Sequence, residues 1–203
     1  MMDIFTYRID HDRGLAPNPF FRRCSLAVCK PWVRAEAAIG DYVIGTSSYE
    51  QCKMRRSGLA GGLAVFIMRV TSDTDFDAYH RDHPEKRPTM RGSRIRRAGD
   101  AIYRRDAATN RWIQADSLHS RPGGLESSGD LKTDTGVDRI LLSDDFTYWG
   151  NSAPALPAHL QVFARKEARG QRYFDERDKA AFIAWAQPRL GQGRVGEPID
   201  WHK

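Results

Sequence analysis

The sequence lacks the features that mark several large classes of protein. Its 203 residues contain no apolar run near the ~18 residues that a membrane-spanning helix needs. The first residues, Met1 to Arg13, mix charged with apolar side chains, which is not typical of a signal peptide. No G-x-x-x-x-G-K-[ST] segment occurs, so a P-loop is not indicated. We therefore expect a soluble cytoplasmic protein, and we expect no bound cofactor.

Cysteine is scarce, and its spacing is not that of a metal site. Cys24, Cys29 and Cys52 all lie in the first quarter of the chain. A structural zinc site needs paired spacings such as C-x-x-C or H-x-x-x-H. Here one C-x4-C pair stands with a lone cysteine, and His80 and His83 have no second pair near them. We expect reduced, buried thiols that behave as small apolar residues, and no metal.

Positive charge is the property that the chain has in excess, and it is concentrated in one segment. The net charge is +6. Between Pro84 and Ala98 the only acidic residue is Glu85. The basic residues there are Lys86, Arg87, Arg91, Arg94, Arg96 and Arg97. Arginine suits planar, two-point contact with phosphate, so the segment predicts contact with a nucleic-acid backbone. The alternative is a solvated loop without a partner.

A loop near the start of the chain is unusually rich in proline and phenylalanine. Pro17 and Pro19 restrict the residues before them to extended conformations. The loop thereby presents Asn18, Phe20 and Phe21 in a fixed direction. An asparagine amide can pair with the edge of a nucleobase, and an aromatic ring can stack on its face. The alternative is that a phenylalanine fills the core while Asn18 caps a turn.

Short runs of strand-forming residues, separated by turns, predict the fold class. Candidate strands include Ile4 to Ile9, Tyr42 to Thr46, Leu63 to Val70 and a last strand from His159 to Ala164. Gly45, inside a strand pattern, predicts a bulge or a close backbone approach. The strands do not alternate with long helices, so a Rossmann-like sheet is not expected. We predict a single α+β domain over residues 1–203. Its core, about 2–165, is a small curved sheet or barrel with peripheral helices, followed by a C-terminal helix over about 175–187.

The candidate catalytic residues are four groups able to move protons. Asp41 and Asp100 each follow a glycine in a turn, and Asp144 precedes an aromatic group. His119 lies with Asp134 in the polar stretch 117–138, which we predict to be a long loop. Ser143 could complete a Ser-His-Asp grouping, but it lacks the G-x-S-x-G context of a nucleophile. The aspartates serve acid–base chemistry or simply cap turns.

Five segments, taken together and in order, resemble the family called nucleotide modification associated domain 2. They are Arg13-Gly14-Leu15-Ala16-Pro17-Asn18-Pro19-Phe20, Cys29-Lys30-Pro31, Gly40-Asp41-Tyr42-Val43-Ile44-Gly45-Thr46, Gly99-Asp100-Ala101-Ile102-Tyr103 and Leu142-Ser143-Asp144-Asp145-Phe146-Thr147-Tyr148-Trp149-Gly150. That family occurs in bacteria and phages and is linked by context to modified DNA bases. The resemblance implies a DNA-modification setting, with other proteins of such a system as potential partners. It implies no settled activity.

A second likeness concerns the fold. The order of elements from Gly40 to Tyr79 resembles the PUA-like group, which includes EVE, ASCH and YTH domains. Those are small β-barrels that often hold a modified base in an aromatic-lined pocket. The likeness implies ligand-binding roles for several residues, with the basic segment holding the flanking backbone. The candidate ligand-binding residues are Asn18, Phe20, Lys30, Tyr42 and Trp149.

Two functions from different classes follow. The first is a module that binds a nucleotide or a modified base in nucleic acid. The second is an enzyme that acts on such a base or nucleotide by acid–base chemistry, through Asp144, His119, Asp41 or Asp100. A third hypothesis is an assembly partner in a modification system, without nucleic-acid affinity of its own.

Overall fold

The computed structural model describes residues 2–48, 62–164 and 174–202, and the chain divides into two compact units. The first unit comprises Met1–Arg13, Ala37–Thr71 and Ser143–Lys203, and the second comprises Gly14–Glu36 and Ser72–Leu142. Segments of the two units thus alternate along the chain. Cys52 lies in the stretch 49–61, outside the described residues.

Both units combine short strands with short helices. The first contains β1 (Ile4–Ile9), β3 (Tyr42–Ser47), β4 (Ala64–Arg69), β9 (Asp145–Tyr148), β10 (Gly193–Arg194) and helix α5 (Glu176–Ala186). The second contains β2 (Cys24–Leu26), β5 (Ser72–Thr74), β6 (Tyr103–Arg105), β7 (Trp112–Gln114), β8 (Ile140–Ser143) and helices α1 (Pro31–Glu36), α2 (Phe76–Asp82), α3 (Arg94–Arg97) and α4 (Ser128–Thr135). Within the described ranges, none of the helices has the length and apolar character to cross a membrane.

The first unit is built on a mixed five-stranded sheet with strand order β1-β3-β4-β9-β10. β1 and β3 run parallel, as do β9 and β10, whereas β4 is antiparallel to both β3 and β9. Across the residues that the structure describes, the edge strands β1 and β10 do not pair, and no sheet closes into a barrel. The predicted mixture of sheets and helices is confirmed, and the barrel is not confirmed.

Gly45 occupies a tight place in this sheet. The register between β3 and β4 shifts between Gly45 and Thr46, which is the predicted irregularity. A Cβ at Gly45 would collide with the ring of Phe66 and lie 2.6 Å from Cδ1 of Ile9. The close approach therefore comes from neighbouring side chains of the sheet. The predicted bulge or irregularity is confirmed, and the neighbours that a Cβ would meet are side chains and not backbone.

Helix α5 covers an aromatic core in the first unit. Its cap is Asp175, whose side chain accepts a hydrogen bond of 2.7 Å from the backbone N–H of Asp178. Phe182 and Trp185 are buried on the inner face, and the Phe182 ring meets Phe163 with ring centres 4.8 Å apart. The apolar body of this segment and the proline beyond it predict the helix, and its position is confirmed.

The predicted last strand at 159–164 is wrong. Residues Ala158–Ala164 form a 3₁₀ helix instead. Leu160 and Phe163 are both buried in the core cluster of the first unit. Residues three apart lie on one side of a 3₁₀ helix, so this spacing buries both, whereas a strand would point them to opposite faces.

The second unit has a three-stranded sheet, ordered β2-β8-β5, and the separate hairpin β6-β7. Phe76 of α2 packs edge-on against Tyr103 of β6, with ring centres 5.5 Å apart. Arg34 of α1 is completely buried, and its guanidinium donates to the backbone carbonyls of Val137, Arg139 and Asp134. One buried arginine therefore fixes the chain around the end of α4.

Helix α4 lies inside the stretch 117–138, for which the sequence predicts a loop. The hydroxyl of Ser127 donates to Asp130 over 2.7 Å at its start. Leu131 packs against the core of the second unit, and Asp134 is buried. The apolar signal is too weak to predict a helix, because a buried carboxylate supplies much of its inward face. This placement brings Asp134 into contact with other titratable groups.

We predict that Gly45→Ala destabilises the protein by about 1–3 kcal/mol, because the new methyl group overpacks the sheet against the Phe66 ring. Gly129→Ala is the matched control, since a Cβ there meets nothing within 4 Å. Urea denaturation followed by circular dichroism measures both variants. Equal midpoints for Gly45→Ala and wild type would contradict the packing argument.

Candidate functional site

In the first unit, the candidate acid–base residues stabilise turns through hydrogen bonds. The carboxylate of Asp41 accepts hydrogen bonds of 2.8 Å from the backbone N–H groups of both Asp3 and Ala38. The hydroxyl of Ser143 donates to the carbonyl of Arg69 over 2.7 Å. Asp144 is exposed on the same turn. Asp41 and Ser143 therefore have local structural partners that account for their positions.

Two of the candidate ligand-binding residues lie in the aromatic core of the first unit. Tyr42 is 3% exposed and Trp149 is 7% exposed. The ring of Tyr42 meets Phe182 edge-on at 5.8 Å, and Trp149 lies 6.2 Å from Trp185. Packing beneath helix α5 explains both residues, and a ligand-binding role for them stays a prediction.

Within the second unit, Asn18 connects the loop that contains Pro17 and Pro19, called the proline loop below, to the basic segment. Its side-chain Nδ2 donates to the carbonyl of Ala98 over 2.7 Å, and its Oδ1 accepts from Nζ of Lys86 over 2.8 Å. Its backbone also exchanges two hydrogen bonds with Ser25. Asn18 is fully buried, and Phe20 is only 2% exposed. The loop that was expected to face a base is thus tied to the arginine-rich segment from inside.

Lys86 is the centre of a buried polar network. Its side chain has no exposed surface, and its ammonium group donates to both oxygens of Asn18, to the carbonyl of Arg23 and to the hydroxyl of Ser25. That hydroxyl donates in turn to Asp100 over 2.6 Å, and Tyr79 donates to the other oxygen of Asp100 over 2.9 Å. Ser25 therefore relays the attraction between the ammonium and the carboxylate.

Burial dominates the electrostatics of this network. Burial lowers the pKa of Lys86 although the nearby Asp100 opposes the change. Burial likewise raises the pKa of Asp100 against the influence of Lys86. Each group is nevertheless surrounded by hydrogen-bond partners that suit its charged form, as a stable buried charge requires. The sequence predicts that Lys86 contacts phosphate and that Asp100 moves protons. In the structure, both residues are buried beneath the basic segment and support it from there.

The rest of the basic segment lies at the surface. Phe21 is 37% exposed, and the guanidinium of Arg96 lies over its ring at 5.6 Å from the centre. Arg87 is half-buried and donates to the carbonyl of His80 over 2.8 Å. We refer to the exposed side chains here as the arginine surface, which consists of Phe21, Arg91, Arg94, Arg96 and Arg97.

A second polar cluster in this unit brings together Cys29, His119 and Asp134. Sγ of Cys29 lies 3.7 Å from Nε2 of His119. Nδ1 of the same ring lies 2.9 Å from Oδ2 of Asp134. The order thiol, imidazole, carboxylate is the arrangement in which a base activates a nucleophile and a third group orients the base. Cys29 and His119 are half-buried, so the cluster is accessible from one side.

Asp134 is held firmly in this cluster. Its Oδ1 accepts from the backbone N–H of Cys29 over 2.6 Å, and its Oδ2 also accepts from the hydroxyl of Tyr103 over 2.9 Å. The side-chain amide of Gln114 donates to Tyr103 and to the carbonyl of His119. The carboxylate thus fixes both the loop that carries the thiol and the ring beside it.

The charge state of His119 follows from these contacts. Burial lowers its pKa, but hydrogen bonds and charge interactions with Asp134 and Cys29 outweigh burial and raise the pKa to about 10. The imidazole is therefore protonated at neutral pH. The imidazolium can therefore act as a proton donor to a group bound beside it.

Metal binding is the alternative use of such a cluster. The three residues offer ligand atoms that all lie within 4.8 Å of one another. However, both oxygens of Asp134 and Nδ1 of His119 are engaged in hydrogen bonds. Sγ of Cys29 and Nε2 of His119 are likewise within 3.7 Å of each other, so all three side chains already contact one another directly. The donor set fits a hydrogen-bonded chain better than a metal centre.

Sequence reasoning considers His119 and Asp134 together, but with Ser143 as the third member. It expects Cys29 to be a reduced, buried thiol that behaves as a small apolar residue, and so it does not group Cys29 with them. No sequence pattern marks the thiol, because the unusual feature beside it is the backbone of the turn Cys29-Lys30-Pro31, which only the structure shows. Both Cys29 (φ +57°) and Lys30 (φ +45°) adopt there the left-handed conformation that side chains disfavour. Backbone strain of this kind gathers at functional sites.

One glycine motif has the spacing of a dinucleotide-binding loop. Gly191, Gly193 and Gly196 fit G-x-G-x-x-G. That motif acts where a strand turns into a helix, whose N-terminus then faces the phosphates. Here it follows α5, contains β10 and leads to a 3₁₀ turn at Ile199–His202. The glycine spacing alone therefore does not indicate a dinucleotide-binding site.

Comparison with known proteins gives one match. The family model described as nucleotide modification associated domain 2 matches residues 1–203. No curated protein and no solved structure matches the chain. The match covers all of the residues that form the arginine surface and the Cys29 cluster.

We predict that His119 remains protonated at pH 8, because Asp134 and Cys29 both stabilise the imidazolium. In Asp134→Asn its titration midpoint should fall from about 10 towards ~6.5, the ordinary value. Imidazole ¹⁵N chemical shifts over a pH series measure this. His80 is the internal control, since burial and Arg87 lower its pKa. A neutral His119 at pH 8 in the wild type contradicts the assignment.

Proposed function

Because the chain belongs to the nucleotide modification associated domain 2 family over residues 1–203, we propose that it binds a nucleotide or a modified base within nucleic acid. The family ties it to nucleotide modification. The observation that carries the finer proposal is the arginine surface of the second unit, where exposed guanidinium groups stand beside an exposed aromatic ring.

The acidic side chains nearest to this surface in the sequence have partners of their own. Glu85 pairs with His83, and Asp82 pairs with Arg81. Helix α3 begins after Ser93, whose side chain accepts from the backbone N–H of Arg96, and ends at Ala98, whose carbonyl accepts from the buried Asn18. Its arginines are exposed. A group of arginines held in this way suits a phosphate backbone, which offers several anionic oxygens in a row.

Phe21 supplies the aromatic part of the proposal. The residue has φ +58°, so the turn directs its ring away from the buried Phe20. Stacking of a base on such a ring contributes about 1–3 kcal/mol. Arg96 already lies over one face of the ring, and an arginine in that position can contact the phosphate beside a stacked base. We assign base contact to Phe21 in place of Phe20.

The other finer expectations remain parts of the proposal. Ligand-binding roles for Asn18, Tyr42 and Trp149, each considered within its own unit, require these buried side chains to become accessible, whereas Lys30 is half-buried in the structure. The PUA-like barrel likewise stays a proposal. Other proteins of a modification system are the partners that the family suggests.

We predict that replacing Arg94, Arg96 and Arg97 together by alanine weakens nucleic-acid binding at least about tenfold at low salt, because the variant neutralises fewer phosphates and so releases fewer counterions. The slope of log K against log salt should become shallower by ~0.9 for each duplex phosphate that is no longer neutralised. Fluorescence anisotropy with DNA and RNA, containing unmodified or modified bases, measures both quantities.

Arg81→Ala is the matched control, because this arginine is exposed but paired with Asp82. It should leave affinity and salt slope unchanged. Unchanged affinity of the triple variant for every nucleic acid and nucleotide tested would remove the arginine surface from the proposal.

Acid–base catalysis on a nucleotide is the second candidate function. One specific observation favours it, namely the paired His119 and Asp134 beside a half-buried thiol. Of the four candidate catalytic residues, His119 is the one with this support, whereas Asp41 and Asp100 serve as structural acceptors.

A further inference from the structure

We propose that Cys29, His119 and Asp134 form a catalytic site that cleaves an acyl linkage, an ester, thioester or amide, through a thioester formed on Cys29. The inference rests on the hydrogen-bonded order of the three groups, with 3.7 Å between sulfur and imidazole and 2.9 Å between imidazole and carboxylate. It concerns a reaction and is independent of binding at the arginine surface.

The position of His119 selects the class of reaction. Its Nε2 points at the sulfur, so the proton that it holds lies beside any carbon that the sulfur attacks. A proton in that place serves to release a leaving group from the attacked carbon. Simple addition of a thiol to a base ring releases no such group at that carbon. Acyl substitution uses both the nucleophile and the acid in this arrangement, and it is the reaction that we propose.

The proposed steps balance. The Cys29 thiolate attacks the acyl carbon and forms a carbon–sulfur bond, while the bond to the leaving alcohol, thiol or amine breaks. Protonated His119 gives its proton to that leaving group. Neutral His119 then takes a proton from water, whose oxygen attacks the thioester carbon. The carbon–sulfur bond breaks, and the products are a carboxylic acid and the thiolate–imidazolium pair.

Asp134 acts as a positioning residue in this site. It fixes the orientation of the His119 ring through Nδ1 and holds the backbone of Cys29 through its N–H. Because one carboxylate binds both, the distance between sulfur and imidazole depends on it. Its own position depends on Tyr103 and on Arg34, which donates to its backbone carbonyl.

Charged and titratable groups from several elements lie around Cys29 and His119. Asp134 and Tyr103 face His119 from α4 and β6, respectively. Arg34 of α1 donates to the carbonyl of Cys29 over 3.1 Å, so a fixed positive charge lies near the thiol loop. The imidazole of His119 lies beside the sulfur, and Arg34 adds a positive charge at the backbone of the loop that carries it.

Cys24 is an inert thiol in the same unit and serves as a comparison for Cys29. It is fully buried, and burial raises its pKa to about 12. It has no imidazole partner among the described residues, although Lys86 and Asp100 influence it. The two cysteines are five positions apart, yet one is accessible and paired with histidine and the other is sealed in the core. They form a built-in comparison for a reactivity measurement.

We predict that iodoacetamide at pH 6.5 alkylates Cys29 at least about tenfold faster than Cys24 or a cysteine in a model peptide, because the half-buried sulfur lies 3.7 Å from the imidazole of His119. Mass spectrometry that resolves each cysteine measures the rates. His119→Gln should lower the Cys29 rate at pH 6.5 at least about tenfold and move its pH profile towards that of the peptide.

Acyl transfer is measured with p-nitrophenyl acetate and an acetyl thioester as probes. Wild type should release the leaving group and carry a transient acetyl group on Cys29, and Cys29→Ala should do neither. Asp134→Asn should slow release, and Asp134→Glu should recover part of it if the carboxylate only orients the ring. Circular dichroism confirms that each variant is folded.

Two results overturn the inference. One is a Cys29 alkylation rate equal to that of the peptide and insensitive to His119→Gln. The other is tight binding of one zinc ion that disappears in both Cys29→Ala and His119→Gln, which assigns the cluster to metal. Arg81→Ala, which lies outside both proposed sites, should leave the alkylation rate unchanged. Nucleic-acid binding and thiol alkylation are measured separately, so failure of one is distinguishable from failure of the other.

Discussion

A single buried ammonium group organises the functional part of the second unit. Nζ of Lys86 donates to oxygens from Asn18, Arg23 and Ser25, so it binds the proline loop from the side of the basic segment. A buried cation is costly unless its partners are complete, and here Asp100 supplies the opposite charge through Ser25. The proline loop and the arginines therefore belong to one supported surface. Phe21 and Arg96 are in contact on the outer side of this surface. Beneath them, hydrogen bonds such as that from Asn18 to Ala98 join the two segments that carry them.

Asp134 holds the thiol cluster together, just as Lys86 holds together the two segments that carry the arginine surface. One buried carboxylate binds the backbone of Cys29 and the ring of His119, which are 90 residues apart in the chain. In both places a buried charge fixes a more accessible one.

The sequence predicts the features that depend on local pattern. Helix α5 follows from its apolar body and cap, and the irregularity at Gly45 follows from a glycine inside a strand. Patterns cannot predict the burial of Lys86, because a count of charges does not show which one turns inward. They cannot pair Cys29 with Asp134 either, since 105 residues separate them and each motif is interpreted alone. Helix α4 escapes prediction because a buried carboxylate replaces apolar residues on its inner face.

The central claim is that Lys86 ties the proline loop to the arginine-bearing segment, and amide hydrogen exchange in Lys86→Met tests it most directly. Methionine keeps the length and the apolar stem but removes the charge. The account predicts that the amides of Ser25 and Ala101, which bond to Asn18 and Lys86, lose protection together, while amides of the β6-β7 hairpin keep theirs. Unchanged protection at Ser25 and Ala101 would contradict the claim.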